Sequence, residues 1–382
     1  MKLTHLLNAC ALAVSLSLVP AGAQAATPAD QLIIGMSMNN LLSLDPANAT
    51  GNDVVEINAN LYDSLVELDP VDTYKVLPAL AESWTIAPDN RSITFKIRKG
   101  VKFHSGNPMT AQDAAWSLQR VLKINLALAS VWKGYGFTAQ NVEKQVRAVD
   151  AETLVIDLPE PTDPKLVIYT LGTSVSAVVL DSKKVLQNEK DGDLGRAWLV
   201  TNAAGSGPFS LAEWRQKDVL MMNRFDGYWR GTPKLRRVLL RHMTESQTLR
   251  LMLERGDIDL ANGMSVPDVE AMKKNPKVAV ESVKRGNVYY VAVSVKDPKF
   301  ADKRVRQAIR NLIDYQGIND TVMPNYGIFH QRPVQLGLPA TLPEPGYKLD
   351  VPAARKLLAD AGFPNGFKTT IRVLSDPPFI NI

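Results

Sequence analysis

The chain has 382 residues, a formal net charge of +5 and one cysteine. Hydrophobic residues make up 45% of it and charged residues 22%, which is the composition of an ordinary globular protein. The Lys and Arg residues are scattered and form no basic block, so we expect no nucleic-acid partner. The length allows about two domains, each with its own core.

Residues 1–25 have the pattern of a secretory signal peptide. The apolar run from Leu6 to Val19 is too short to span a bilayer comfortably, and Ala23-Gln24-Ala25 is a small-residue cleavage site. We expect cleavage between Ala25 and Ala26 and a periplasmic product. The only cysteine, Cys10, would leave with this peptide, so the mature fold should contain no disulfide.

Short strand patterns alternate with helix patterns along the rest of the chain. Gln31 to Met36 is an apolar stretch that predicts the first strand. Residues 93–97 and 154–158 alternate apolar and polar side chains, which is the pattern of strands covered on one face. This alternation of strands and helices favours an α/β fold.

Cap residues mark the starts of the predicted helices. Each start has a Ser, Thr or Asp whose side chain can accept a backbone N–H of the first turn. These residues are Thr110, Thr244, Ser265, Asp302 and Asp350. The second and the last of these helices should end at Gly256 and Gly362, because glycine adopts the left-handed backbone conformation that ends many helices.

The histidines and the one serine motif do not form a recognisable catalytic or metal-binding pattern. His104, His242 and His330 are isolated from one another, and none has the spacing of a metal site. Gly205-Ser206-Gly207-Pro208 suggests an active serine, but no base motif accompanies it, so we favour a tight turn into a strand at Phe209. We therefore expect no enzyme, no cofactor and no metal site.

One pair of carboxylates offers an alternative. Asp257 and Asp259 are two residues apart and would share one face of a strand, as a metal site or an acid–base pair requires. The interpretation that we favour places Asp257 in the turn that ends a helix and lets Asp259 bind nearby backbone amides.

Polar residues directly after the first strand are candidates for ligand contacts. Ser37, Asn39 and Asn40 follow Met36. The carboxyl ends of sheet strands are where α/β proteins present ligand-binding groups, so these three side chains are placed for that role. A solvated loop is the alternative.

Aromatic side chains form the second group of candidates. Trp132 and Tyr135 stand beside glycines, where the backbone can approach a ligand closely and the rings can form a wall. Tyr289 and Tyr290 are adjacent rings that we add to this group. We interpret the Tyr228-Trp229 pair as structural, since an aromatic ring is most often part of a core.

Several motifs in a fixed order resemble a known family. The most distinctive stretch runs from Ala79-Leu80-Ala81-Glu82-Ser83-Trp84 through a strand and a basic turn to the helix capped by Thr110. It resembles the signature region of the family 5 extracellular solute-binding proteins, the peptide- and nickel-binding components of bacterial ABC importers. The other motifs that carry the resemblance are Leu44-Asp45-Pro46 and residues 61–66, 205–209, 227–231, 256–259, 305–309 and 356–363.

The resemblance implies an α/β, two-lobed periplasmic-binding-protein fold that is similar to type II. Lobe I would comprise residues 26–72 and 192–285. An inserted subdomain of lobe I would comprise residues 73–191. The second lobe would begin at residue 286 and run to residue 382, and it would be incomplete.

The resemblance also implies a function in import. The protein would enclose a short peptide between its lobes, as a monomer, and deliver it to an inner-membrane permease driven by ATPase subunits. Alternatives in the same class bind another solute, such as an opine, a sugar oligomer or a metal chelate. An exported hydrolase that uses Asp257 and Asp259, and a sensor or chaperone module, are alternatives from other classes.

Two departures from the family limit what the resemblance implies. Family members are longer, and this chain stops just after a strand pattern at Thr369 to Val373, so we expect a truncated reading frame whose second lobe exposes apolar surface. The groups that fix peptide termini in dipeptide-binding members would lie in the missing part. Nickel-chelate members have an arginine in the segment that matches Gly172 to Val179, and this chain has none there.

Overall fold

The structure of the protein is a computed structural model that describes residues 27–283, 288–324, 326–334, 336 and 341–373. The predicted signal peptide and the predicted first residue of lobe II, Gly286, lie outside those ranges. No helix within the described ranges is both long and apolar enough to cross a membrane.

Strands and helices alternate as far as Met272, and the described chain after that residue is helical or irregular. The strands are β1 (Gln31–Met36), β2 (Val66–Leu68), β3 (Val76–Pro78), β4 (Ala81–Ile86), β5 (Ser92–Ile97), β6 (Val146–Ala148), β7 (Thr153–Asp157), β8 (Phe209–Arg215), β9 (Val219–Arg224), β10 (Arg237–His242) and β11 (Leu260–Ala261). The α-helices are α1 (Asn52–Leu61), α2 (Ala111–Ile124), α3 (Ala129–Lys133), α4 (Val142–Gln145), α5 (Pro164–Thr173), α6 (Ser182–Leu186), α7 (Arg196–Leu199), α8 (Ser246–Arg255), α9 (Val266–Met272), α10 (Pro298–Ala301), α11 (Lys303–Asn311), α12 (Tyr315–Thr321) and α13 (Val351–Asp360). Two short 3-10 helices lie at Pro46–Asn48 and Val175–Ala177.

The main sheet has five strands in the order β11-β1-β10-β9-β8. Its strand β1 runs parallel to both neighbours, with Gln31 opposite Arg237 at one end and Met36 opposite His242 at the other. Strand β9 is antiparallel to β10 and to β8. The predicted first strand is therefore confirmed, and the carboxyl ends of three parallel strands meet at one edge of the sheet.

A second sheet, with the order β4-β5-β7-β6, is built entirely from antiparallel pairs and lies between β1 and β8 in the sequence. On β5, Ile93, Phe95 and Ile97 are buried while Thr94 and Lys96 are exposed. The predicted alternation is confirmed, because successive side chains of a strand point to opposite faces. Helix α2 packs on this sheet against β6 and β7, and β2 pairs with β3 in a separate two-stranded sheet.

Most predicted helix caps are confirmed. Helix α2 begins with a capping box in which the Thr110 N–H donates to Asp113 Oδ2 at 3.0 Å. Asp302 and Asp350 accept backbone N–H groups at the starts of α11 and α13. Gly256 ends α8 with a φ of 77°, in the left-handed region that glycine occupies without a steric penalty.

Two local predictions are wrong. Helix α8 begins at Ser246, not after Thr244, because Glu245 has extended backbone angles and acts as the N-cap. The strand pattern from Thr369 to Val373 forms no strand within the described chain. An extended segment needs a neighbouring strand for its backbone hydrogen bonds, and no described segment pairs with this one.

Three clusters of buried apolar side chains lie between residues 32 and 278. The first packs α2 on the second sheet and α5 on β2 and β3, the second packs α1 on the main sheet, and the third joins α8 and α9 to β1 and β11. After residue 278, the buried apolar side chains of the described chain are Val305, Ala308, Met323 and Ala354. The lobe and subdomain boundaries drawn from the sequence stay a prediction.

Candidate functional site

Candidate ligand contacts lie at the edge of the main sheet where β1, β10 and β11 end. Ser37, Asn39 and Asn40 follow β1, His242 is the last residue of β10, and Asn262 follows β11. Ser37 and Asn39 are half-buried, and Asn40 is exposed. We call these five residues the carboxyl edge. An edge of this kind, between a strand and its parallel neighbours, is where α/β sheets present groups to ligands.

Hydrogen bonds tie the segment after β1 to strand β10. The Met38 N–H donates to Nδ1 of His242 at 2.8 Å, and the Met243 N–H donates to the Met36 carbonyl at 2.9 Å. The Asn39 N–H donates to Oγ of Ser37 at 3.3 Å. The segment is therefore positioned by its own polar groups and by the neighbouring strand.

His242 is a residue of the carboxyl edge that the sequence did not single out. In the sequence it is one of several isolated histidines. Its place beside Met38 follows from the pairing of β1 with β10, which brings together residues 204 positions apart. A local pattern could have shown that His242 ends a strand, but not which strand it neighbours.

The aromatic candidates Trp132 and Tyr135 lie elsewhere, in the cluster under the second sheet. Trp132 is 3% exposed, and its Nε1–H donates to Oγ of Ser176 at 3.0 Å. The Tyr135 hydroxyl is 2.7 Å from Oγ1 of Thr170, and the two ring centroids are 6.5 Å apart. The structure thus brings these two rings together, and the polar tip of each ring has a protein partner within this cluster.

Tyr289 and Tyr290 lie in an irregular segment before α10. They are 41% and 78% exposed, and neither ring belongs to the three apolar clusters. The chain at these two residues forms neither helix nor strand. No helix or strand therefore connects the two rings directly to the carboxyl edge. Their role as ligand contacts stays a prediction.

A second polar constellation is centred on Asp63, beside a groove of ≈ 280 Å³. The Asp63 carboxylate accepts hydrogen bonds from Ser206 Oγ at 2.8 Å, Tyr228 OH at 3.0 Å and Trp229 Nε1 at 3.1 Å. Burial raises the pKa of Asp63, although these three bonds oppose the shift. The structural interpretation of Tyr228 and Trp229 is confirmed, because both rings donate a hydrogen bond to this half-buried carboxylate.

The turn at Gly205-Ser206-Gly207-Pro208 leads into β8, as predicted. Ser206 is fully buried and donates to Asp63, while Nε2 of His104 donates to the Gly207 carbonyl at 2.9 Å. These three residue types occur in catalytic triads, but there the histidine takes the proton of the serine. Here the serine hydroxyl bonds the aspartate directly, so the arrangement is that of a structural turn.

The carboxylate pair after α8 also has structural partners. Oδ2 of Asp259 accepts the Ile33 N–H at 2.7 Å, and the Asp259 N–H donates to the Ile33 carbonyl at 2.8 Å. The Asp257 N–H donates to the Met252 carbonyl at 2.9 Å in the turn that ends α8. The interpretation favoured from the sequence is confirmed. No group of three or more His, Cys, Asp or Glu in the described ranges could hold a metal ion.

Residues 75–382 match the family described as bacterial extracellular solute-binding proteins, family 5, middle region. The match covers most of the chain, and the motifs around residues 79–121, 205–209 and 227–231 lie within it. The chain belongs to this family.

Curated relatives extend the comparison. Heme-binding protein A of Haemophilus influenzae is 30% identical over 329 residues, which cover 81% of this chain and 58% of that protein. The probable D,D-dipeptide-binding periplasmic protein DdpA of Escherichia coli K12 is 30% identical over 320 residues, which cover 83% of this chain and 59% of that protein. The chain thus spans less than two thirds of the length of these two relatives.

Solved structures share the fold. A dipeptide binding protein from Pseudoalteromonas sp. SM9913, in complex with Met-Leu, superposes with a TM-score of 0.75 at 24% identity, over 88% of this chain and 68% of that one. The murein tripeptide binding protein MppA of Escherichia coli superposes with a TM-score of 0.74 at 24% identity, over 89% and 68%. The predicted α/β periplasmic-binding-protein fold is confirmed.

Proposed function

We propose that this protein captures short peptides outside the cytoplasm and delivers them to an ABC permease in the inner membrane. The observation that carries the proposal is the carboxyl edge, where the polar segment after β1 lies between two parallel neighbours. In a family of solute-binding proteins, such an edge is the natural half of a binding cleft. The second half would come from the chain after residue 286.

Short peptides are the solute class that suits these residues best. Ser37, Asn39 and Asn40 can both donate and accept hydrogen bonds, so they can bind the N–H and C=O groups of an extended ligand without reading its side chains. Relatives are named for D,D-dipeptide and for glutathione, both of which contain peptide bonds. The solved neighbour with Met-Leu points in the same direction.

Calorimetry with a defined panel tests the solute class. The panel contains di- to tetrapeptides, glutathione, haemin and the nickel–histidine complex, since a curated relative is named for haem and a solved neighbour contains Ni(L-His). We expect saturable binding of peptides and weaker or no binding of the others. Tight binding of haemin with no peptide binding would favour the metal-chelate alternative over the peptide proposal.

Substitutions at the carboxyl edge test the place of binding. Asn39→Ala and Asn40→Ala should each weaken peptide binding, whereas Gln187→Ala, in an exposed turn after α6, should not. Equal affinity for all three variants would remove the carboxyl edge from the proposal. The exposed rings of Tyr289 and Tyr290 complete the set of proposed contacts and can be tested in the same assay.

The protein should bind its solute without transforming it. Asp259 is bonded to the backbone of β1, and Asp257 lies in a helix-ending turn, so neither is arranged as an acid–base pair. We expect wild type, Asp257→Asn and Asp259→Asn to show equally absent turnover on peptide and glycoside panels. Turnover by wild type that either variant loses would support the hydrolase alternative.

Export and oligomeric state complete the proposal. We expect the chain to be found in the periplasmic fraction, with Ala26 as the first residue by N-terminal sequencing. Light scattering should give the mass of a monomer. A product that retains Met1 in the cytoplasmic fraction would contradict the proposed localisation.

A further inference from the structure

The hydrogen bond between Met38 and His242 fixes the proton of the imidazole ring. Since a backbone N–H can only donate, Nδ1 of His242 must be the acceptor in the 2.8 Å bond. In the neutral ring the proton then lies on Nε2. The fold therefore selects one tautomer at the carboxyl edge.

The Nε2–H of His242 is an available donor. It has no hydrogen-bond partner among the described residues. Among the described residues, the buried side-chain nitrogen and oxygen atoms without a hydrogen-bond partner belong to Asn58 and Trp214. The ring of His242 is half-buried, so its Nε2–H is unpartnered but accessible from solvent. A polar group of this kind is suited to pairing with a ligand.

We propose that His242 contacts the bound solute and positions the segment that binds it. Nδ1 holds the Met38 amide, and with it residues 37–40, against β10. Nε2–H donates to an oxygen acceptor of the solute, which is a carbonyl or a carboxylate. This inference rests on the function proposed above for the carboxyl edge, and it adds to that function a specificity for solutes that place an oxygen opposite β10.

The geometry explains why one residue can have both roles. His242 is the last residue of β10 and lies opposite Met36, the last residue of β1. Its ring therefore stands beside the first residues that leave the sheet, and the two ring nitrogens point in different directions. One nitrogen is used by the loop and the other remains for the solute.

Two substitutions separate the two roles. In His242→Asn, Oδ1 is as many bonds from Cβ as Nδ1 of histidine, so it can accept the Met38 N–H, but the donor at the ε position is lost. In His242→Gln, the amide nitrogen is as many bonds from Cβ as Nε2, so the donor is kept, but the acceptor at the δ position is lost. His330→Gln, in a different part of the chain, is the control for loss of a histidine.

Hydrogen exchange of the ligand-free chain tests the positioning role. Amides of residues 37–40 should be protected in wild type, His242→Asn and His330→Gln, and should exchange at least several-fold faster in His242→Gln. Unchanged exchange in His242→Gln would overturn this role. This measurement needs no ligand, so its outcome is independent of the proposed function.

Calorimetry with Ala-Ala and Ala-Ala-Ala tests the contact with solute. We expect His242→Asn to raise the Kd about fivefold, the effect of losing one neutral hydrogen bond, and His330→Gln to leave it unchanged. An unchanged Kd for His242→Asn would overturn the contact role. If wild type binds neither probe nor any other peptide of the panel, the proposed function fails and the contact role fails with it, while the exchange result still decides the positioning role.

Discussion

Arg120 and Asp45 form an ion pair that is almost completely enclosed by protein. The side chains are 1% and 2% exposed, and the two N–O distances are 2.9 and 2.7 Å. The Arg120 Nε–H also donates to the Leu194 carbonyl at 2.8 Å. One residue of α2 thus binds the segment after β1 and the connection before α7, so it joins three distant parts of the chain.

Loss of the cation should destabilise the protein strongly. Arg120→Leu leaves the Asp45 carboxylate buried without its partner, and breaking a buried pair in this way costs about 3–5 kcal/mol. We expect a decrease of that size in the free energy of unfolding measured with urea. Lys356→Ala is the matched control, because Lys356 pairs with Asp360 on the surface, where its side chain is 78% exposed. A similar decrease in both variants would contradict this account of Arg120.

His104 should make stability depend on pH. Burial lowers its pKa below the usual 6.5, although the bond to the Gly207 carbonyl opposes the shift. Below 6.5 the unfolded chain therefore binds more protons than the folded chain, and the free energy of unfolding decreases as the pH falls through the folded pKa. His104→Gln keeps an N–H donor for Gly207 and removes the titration, so it should flatten this dependence between pH 7 and 5.

His330 provides the control for that experiment, because its pKa is also shifted from the usual value. The pKa of His330 is raised, chiefly by its bond to the Val334 carbonyl and also by Glu344. Its contribution to stability is present at low pH and is lost as the pH rises through the folded pKa, which is the opposite sign. His330→Gln should therefore not flatten the loss of stability in acid. If it does, and His104→Gln does not, the assignment to His104 is wrong.

At the scale of elements, the junction between α1 and β8 depends on a close approach of two backbones. A Cβ atom at Gly205 would lie 1.9 Å from the Leu61 carbonyl oxygen, which belongs to backbone and cannot move aside cheaply. The Gly207 N–H donates to that same oxygen at 3.1 Å. The end of α1 and the start of β8 are therefore in direct contact, and Asp63 and Ser206 bond each other beside this contact.

Gly205→Ala should separate these two elements. We expect the free energy of unfolding to decrease by about 3 kcal/mol, since overpacking at a rigid site costs about 1–3 kcal/mol and occasionally more. Gly51→Ala is the control, because the nearest atom to its added Cβ is 4.0 Å away and its φ of −103° suits any residue. Chemical denaturation of both variants gives the comparison. A loss at Gly51 as large as that at Gly205 would show that the contact with Leu61 is not the cause.

Elements that depend on local signals could be predicted from the sequence. The capping box of α2 and the Asp caps of α11 and α13 involve residues three or fewer positions apart, and all of them form. The start of α8 differs from the prediction by one residue, because Glu245 and not Thr244 is the N-cap. There Ser246 Oγ accepts the Ser265 N–H at 2.8 Å, a bond between residues 19 positions apart that no local pattern contains.

The candidate site was only partly predictable, for the same reason. Ser37, Asn39 and Asn40 could be placed because they directly follow a recognisable strand. His242 could not be placed there, because its neighbour Met38 is 204 positions away in the sequence. Trp132 looked suited to a ligand wall because of its neighbouring glycines, but its partner Ser176 is 44 positions away and lies inside a core.

At the scale of the whole molecule, stability should be unevenly distributed. The three apolar clusters lie between residues 32 and 278, whereas the described chain after α9 buries few apolar side chains and has no strand. Regions with few buried contacts open at lower free energy than packed cores. The part that contains the three sheets should therefore stay folded longer than the part that contains α10 to α13.

Limited trypsin digestion tests this difference. Lys277 and Lys296 are exposed and lie in irregular chain between α9 and α10, so we expect early cleavage between these residues or at them. Intact mass spectrometry should then show a resistant fragment that ends in this interval and keeps all three sheets. Early cuts within residues 81–157, inside the second sheet, would contradict the expected order.

The pairing of β1 has a consequence for the order in which the main sheet forms during synthesis. Asp30, just before β1, forms an ion pair with Arg236, just before β10, and these residues are 206 positions apart. Strand β1 must therefore wait until most of the described chain has been synthesised before it can pair with either parallel neighbour. Contacts between such distant residues form slowly. Slow closure of the main sheet would leave a newly made chain unfolded for longer, which is the state that the export proposed above requires.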